Sequence, residues 1–79
     1  MNQFVLYGTL GCHLCDEAEA LLTPLLFAEC SIECVDISES DELIEQYGVL
    51  IPVLRRVHDN AELRWPFDTA QARLFLSGV

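Results

Sequence analysis

Residues 3–7, QFVLY, are a short run of apolar, β-branched and aromatic residues that stops at Gly8-Thr9. From about Leu14 the apolar residues recur instead at spacings of three and four. The first pattern predicts a buried strand. The second, through Leu14, Ala18, Leu21, Leu22, Leu25 and Leu26, predicts a helix with one apolar face. A second apolar stretch with mixed alternation, Ser31 to Ile37, predicts another strand. A strand, a crossover helix and a strand place the two strands parallel in one sheet, and every later element has to fit around that pair. Pro24 lacks an N–H and its ring crowds the preceding turn, so the helix is expected to be kinked and to run to about Ala28.

The polar run after Ile37 opens a second helix, with Ser40 as N-cap, Leu43, Ile44 and Tyr47 at helical spacing, and Gly48 as the stop. Ile51 to Val57 reads as a third strand with Pro52 near its start, and His58-Asp59-Asn60-Ala61 as a hairpin turn into a short strand, Glu62 to Arg64. Asp68 is a good N-cap for a last helix that turns Ala72, Phe75 and Leu76 inward and ends at Ser77-Gly78. The predicted order is β-α-β-α-β-β-α, an α/β fold with a mixed four-stranded sheet and three helices. At 79 residues the chain is expected to form a single domain, 1–79, because so short a chain buries only about 60% of its unfolded surface.

Thirteen acidic residues stand against four arginines, Arg55, Arg56, Arg64 and Arg73, and no lysine, for a formal charge of −9. Nucleic acid is therefore not an expected partner, since binding it depends on neutralising phosphates. No apolar run reaches the length of about 18 residues that spans a bilayer, and MNQFVLYGT lacks the charged and apolar regions of an export signal. A cytoplasmic monomer that does not engage membranes is the expectation.

Four cysteines, Cys12, Cys15, Cys30 and Cys34, are in that setting catalytic, metal-binding or simply buried. Cys12 lies between the end of the first strand and the first helical turn, where free N–H groups lower a thiol pKa from about 8.5 into the range of about 3.5–7.5. It is the candidate nucleophile. Cys15, about one turn further on, is the candidate resolving thiol that attacks the mixed disulfide at Cys12. His13, when protonated, would add a positive charge beside the thiolate. Two other readings stay open. The spacing C-x2-C-x14-C-x3-C approaches that of four-cysteine zinc modules. A binding module without turnover could use Trp65 and Phe67 as an aromatic contact, unless both rings pack under the last helix. Cys30 and Cys34 are otherwise small hydrophobes.

With C-H-L-C after the first strand, I-P-V leading to a hairpin, and a final helix, the chain resembles the glutaredoxins, small thiol–disulfide oxidoreductases of thioredoxin-like fold. The resemblance spans nearly the whole chain. It implies catalysis by Cys12 and Cys15 and a cis peptide at Ile51-Pro52, whose backbone pairs with the substrate chain. It also implies glutathione as a reductant with no tightly bound cofactor and no metal. A disulfide-containing protein or a glutathione mixed disulfide would be the partner, and Asp68 would stand where that family holds the glutathione amino group. His13-Leu14 replaces the family's usual pair between the cysteines, and Trp65-Pro66 stands where it carries two glycines.

Overall fold

The computed structural model describes residues 2–26 and 30–77. The first strand, β1 (Asn2–Gly8), pairs in parallel with β2 (Cys30–Asp36), with Leu6 opposite Cys34 and Gly8 opposite Asp36. On its other edge β1 pairs antiparallel with β3 (Val53–Arg56), which forms a hairpin with β4 (Glu62–Arg64). The sheet order is β2-β1-β3-β4. Three helices complete the expected order: α1 (His13–Leu22), α2 (Asp41–Tyr47) and α3 (Thr69–Leu76). Two short 3-10 turns, Thr23–Leu25 and Ile37–Glu39, are added to the predicted elements.

Because β1 is central, it is buried on both faces, which explains why its sequence is a continuous apolar run rather than an alternation. Phe4 and Leu6 face a core built with Ala18 and Leu22 of α1, Leu54 of β3, Phe67, and Ala72 and Leu76 of α3. Tyr7 faces the opposite side, where it joins Ile37, Tyr47 of α2 and Val53. The sheet is thus sandwiched, with α1 and α3 on one face and α2 on the other. Trp65 and Phe67 pack edge to face at 5.0 Å, with Phe67 buried and Trp65 half-buried against the α3-side core. The two rings therefore serve the core.

Three expectations need correction. Helix α1 does not run on as a kinked helix; it ends at Leu22, and Thr23–Leu25 tightens into a 3-10 turn around Pro24. Proline removes the N–H an α-helix needs there, and the Thr23 hydroxyl donates to the Glu19 carbonyl at 2.8 Å. Ala28, the expected end, lies outside the described residues, as does Gly78. Leu14 and Ile44 point outward rather than into the core. The third strand begins at Val53, after Pro52, and not at Ile51.

The caps match the sequence closely. The Ser40 hydroxyl accepts from the Leu43 N–H at 3.4 Å, and Gly48 is the C-cap of α2, in right-handed conformation. Asp68 and Gln71 form a reciprocal capping box on α3, with N–H···O distances of 2.8 and 3.0 Å. Asn60, at φ 61°, supplies the left-handed residue of the hairpin turn. Among the described residues no helix is long and apolar enough to cross a membrane.

Arg56 pairs with Asp59 within the hairpin and ties the hairpin to α3. The Arg56 guanidinium donates to Asp59 at 2.9 Å and to the Phe75 carbonyl at 2.9 Å, and lies 4.7 Å over the Phe75 ring. Hydrogen bonds from Arg56, and then from the Ala61 N–H, hold the Asp59 carboxyl down to about 2. A folded-state value below the unfolded one gives stability that is present above about pH 4 and is lost as pH falls toward 2. Asp59→Asn is expected to flatten the acid limb of the stability curve over that window. Urea midpoints at pH 6, 4 and 2.5 check it: the gap between wild type and variant should shrink as pH falls.

Candidate active site

The loop Thr9–Cys12 joins β1 to α1, and Gly11 takes φ +78°, which a side-chain-bearing residue adopts only with strain. That turn delivers Cys12 to the helix start. Cys12 is the N-cap of α1: its carbonyl accepts from the Asp16 N–H at 3.2 Å, and its sulfur accepts from the Cys15 N–H at 3.2 Å. A cap position of this kind aims an orphan N–H and the positive end of the helix dipole at the sulfur. Cys12 and Cys15 are joined as a disulfide, with Cα atoms 5.2 Å apart. Cys12 is half-buried, and Cys15 is buried with 8% of its surface exposed. An incoming molecule therefore meets Cys12 first.

Cys15 packs directly on the end of β1. A Cβ added at Gly8 would lie 2.9 Å from the Cys15 sulfur and 3.1 Å from its Cβ. Pro52 belongs to the same neighbourhood: one step beyond the paired Tyr7 and Val53, it falls alongside Gly8. Pro52 is fully buried and the Ile51-Pro52 peptide is cis, as the resemblance implies; Trp65-Pro66 is cis as well, which was not expected. The Pro52 carbonyl accepts from the Trp65 N–H at 3.2 Å, and the Ile51 N–H donates to the Tyr47 carbonyl at 3.1 Å.

His13 is 87% exposed, with its Nε2 3.8 Å from a Glu17 carboxylate oxygen one turn along. Its charge when protonated is thus shared with Glu17. Asp68 sits at the start of α3 with one carboxylate oxygen committed to the Gln71 N–H. The structure brings Cys12, Cys15 and Pro52 to the same end of β1; His13 borders the pair from the solvent side.

Beside Cys15 opens a groove of ≈ 280 Å³ between α1 and β2, lined by Gly8, Leu10, Asp16, Glu19, Cys34 and Asp36 among others. None of its lining residues is cationic. The Asp36 carboxyl accepts from the Ser38 hydroxyl at 2.7 Å and its N–H at 2.9 Å. These bonds, with a smaller contribution from Thr9, hold it below the usual carboxylate range. Cys34 does not pack in a strand interior but is exposed, its sulfur 3.9 Å from the Glu19 carboxylate. Partial burial against α1, and then the Glu19 charge and hydrogen bond, push its thiol up. Cys30 is half-buried, its sulfur 4.0 Å from the Leu76 carbonyl. Among the described residues no three His, Cys, Asp or Glu side chains are placed to hold a metal ion.

Gly8, Glu19 and Asp36 were not singled out from sequence. The signal for Asp36 was present in the strand–helix–strand pattern, because a parallel β1–β2 register sets the end of β2 beside the end of β1. The signal for Gly8 was absent, since only the depth of α1 over the sheet makes a missing side chain necessary.

The Glutaredoxin-like domain (DUF836) family model matches residues 3–77. No curated protein matches the sequence significantly. Among solved structures, the X-ray structure of protein XcR50 from X. campestris is similar at 34% identity and TM-score 0.83, over 96% of this chain and 97% of that one. The solution structure of XcR50 gives 34% identity and TM-score 0.82, over 100% and 96%. The solution structure of protein Ne2328 from Nitrosomonas europaea gives 29% identity and TM-score 0.72, over 94% and 89%.

The Gly8 contact yields a test. Gly8→Ala overpacks the site and should destabilise the oxidised protein by about 1–3 kcal/mol. The cost should be smaller but still present in the reduced protein, where the Cys15 sulfur gains freedom to shift while its Cβ, 3.1 Å from the added carbon, stays in place. Urea unfolding of both redox forms checks this, and the absence of a loss in the oxidised form would contradict the contact.

Proposed function

The chain belongs to the glutaredoxin-like domain family, with its thioredoxin-like fold, and on that footing we propose that it is a thiol–disulfide oxidoreductase cycling between the Cys12–Cys15 disulfide and dithiol. The observation that carries this reading is the placement of Cys12 as N-cap of α1, with its sulfur receiving the Cys15 N–H. The same N–H that meets the sulfur in the disulfide is in place to stabilise a Cys12 thiolate in the dithiol.

Reduction of a substrate then takes two exchanges. The Cys12 thiolate attacks one substrate sulfur, forming a mixed disulfide and releasing the other sulfur as a thiolate. The Cys15 thiolate attacks the Cys12 sulfur, closing the disulfide and releasing the second substrate thiolate, so that two electrons pass to the substrate. Burial of Cys15 on Gly8 keeps it for this second, internal step. Ile51 and Pro52 form the wall against which the substrate chain lies. With its N–H given to Tyr47, Ile51 offers that chain its carbonyl rather than both backbone groups. His13 lines the approach, and Asp68 is the candidate contact for a glutathione amino group through the oxygen not used by the cap. The partner is a disulfide-containing protein or a glutathione mixed disulfide, and in the cytoplasm glutathione would restore the dithiol of a monomeric protein without a tightly bound cofactor.

Cys12→Ser is expected to reduce turnover of hydroxyethyl disulfide to the uncatalysed background. Cys15→Ser should instead accumulate a mixed disulfide at Cys12, visible as a mass adduct that dithiothreitol removes. Unchanged turnover in both variants would refute the redox reading.

A further inference from the structure

The surroundings of the disulfide differ sharply in chemistry from one side to the other. Toward β2 lies the groove already described, which carries Asp16, Glu19 and Asp36. The arginines lie elsewhere. Arg55 and Arg64 follow the register of Val53 and so project on the α2 face, while Arg56 is tied to Asp59 and the Phe75 carbonyl. Arg73 is in the last turn of α3. No cation on the groove offsets its charge.

On the segments that lead to the cysteine pair and Pro52 are three exposed apolar side chains. Leu10, 90% exposed, lies in the loop that leads to Cys12 and lines the groove; Leu14, 44% exposed, is on the first turn of α1 between the cysteines. Val49, 97% exposed, is in the loop that leads to Pro52. Exposed apolar side chains scattered singly are ordinary, but these lie on the segments that carry Cys12, Cys15 and Pro52.

We propose that the physiological substrate is a polypeptide disulfide with Lys or Arg beside its cysteine, taken in preference to oxidised glutathione. This rests on the redox reading above. The cationic side chain enters the groove among Asp16, Glu19 and Asp36, and apolar neighbours of the substrate cysteine lie on Leu10 and Leu14. Oxidised glutathione has four carboxylates and two ammonium groups, and it approaches both a groove of its own sign and a chain of formal charge −9. It also brings no apolar side chain for Leu10. The exchange steps are those given above, with the substrate disulfide reduced, the Cys12–Cys15 dithiol oxidised, and an external thiol restoring it.

The test compares four disulfides at fixed reductant: two symmetric disulfide-linked tripeptides that carry either Arg or Glu beside the cysteine and Leu on its other side, cystamine, and neutral hydroxyethyl disulfide. At low ionic strength kcat/KM for the Arg peptide should exceed that for the Glu peptide by about tenfold. The ratio should fall toward one near 1 M salt, where the screening length is about 3 Å. The double substitution Asp16→Asn, Glu19→Gln should narrow it at low salt. Cystamine, a small dication with nothing to lay on Leu10, should be slower than the Arg peptide. Equal rates for the two peptides, or a ratio that ignores salt and the double substitution, would overturn the charge selection. Cystamine as fast as the Arg peptide would overturn the polypeptide part. Hydroxyethyl disulfide separates the two levels: its turnover without peptide preference defeats this inference alone, whereas failure of all four substrates defeats the redox reading beneath it.

Discussion

Everything in this fold hangs on the burial of β1 from both sides. A strand whose successive side chains, Phe4, Val5, Leu6 and Tyr7, are all apolar cannot leave either face to water, so the chain must supply cover twice. Helices α1 and α3 cover the Phe4–Leu6 face and α2 covers the Tyr7 face. The parallel pairing with β2 and the antiparallel pairing with β3 then bring two chain segments to the end of β1, where Gly8 stands. On one side is Asp36 and on the other Pro52, with Cys15 above. The site is a consequence of how one strand is buried.

That arrangement explains which parts of the structure were legible in the sequence. Element types followed from period and from caps: the switch from QFVLY to helical spacing, Ser40 before α2 and Asp68 before α3 all report local chemistry that acts within a few residues. The errors came where local pattern and tertiary packing diverge. Leu14 fits the helical period of α1, yet on the first turn it is 44% exposed and joins neither core cluster. Pro24 could bend a helix or end one, and the sequence alone does not choose. The structure ends α1 at Leu22, with the Thr23 hydroxyl on the Glu19 carbonyl and a tighter turn around the proline.

The candidate site divides along the same line. Cys12 as a helix-start thiol was readable because strand, glycine, cysteine and helix are consecutive in the chain. The Ile51-Pro52 feature was readable only through resemblance. The convergence of Glu19, Asp36 and Cys34 on one groove is not a local pattern: it comes through the register of β2 on β1, which the strand–helix–strand order only outlines, and through the seating of α1. Cys34 shows the point well: its apolar neighbours in sequence, Ile32 and Val35, suggested an interior position. It is on the edge strand, on the same face as Ile32 but toward the strand's end, where it lines the groove and is exposed beneath Glu19.

The acidic surroundings raise the question of whether Cys12 can ionise readily at all. A carboxylate one helical turn away, such as Asp16, at a separation of about 6 Å across water disfavours a thiolate by only about 0.7 kcal/mol, and less once salt screens it. A hydrogen bond to a charged acceptor contributes about 1.5–3 kcal/mol. The Cys15 N–H is in direct contact with the Cys12 sulfur, so the short-range interaction prevails at the nucleophile. The long-range field is felt instead by what arrives from solution, which meets several carboxylates together before it meets any donor. In the proposed reaction, reactivity and selectivity are thus set by different distances: the helix-start N–H favours a Cys12 thiolate at short range, and the carboxylates of the groove act at long range on the charge of what approaches.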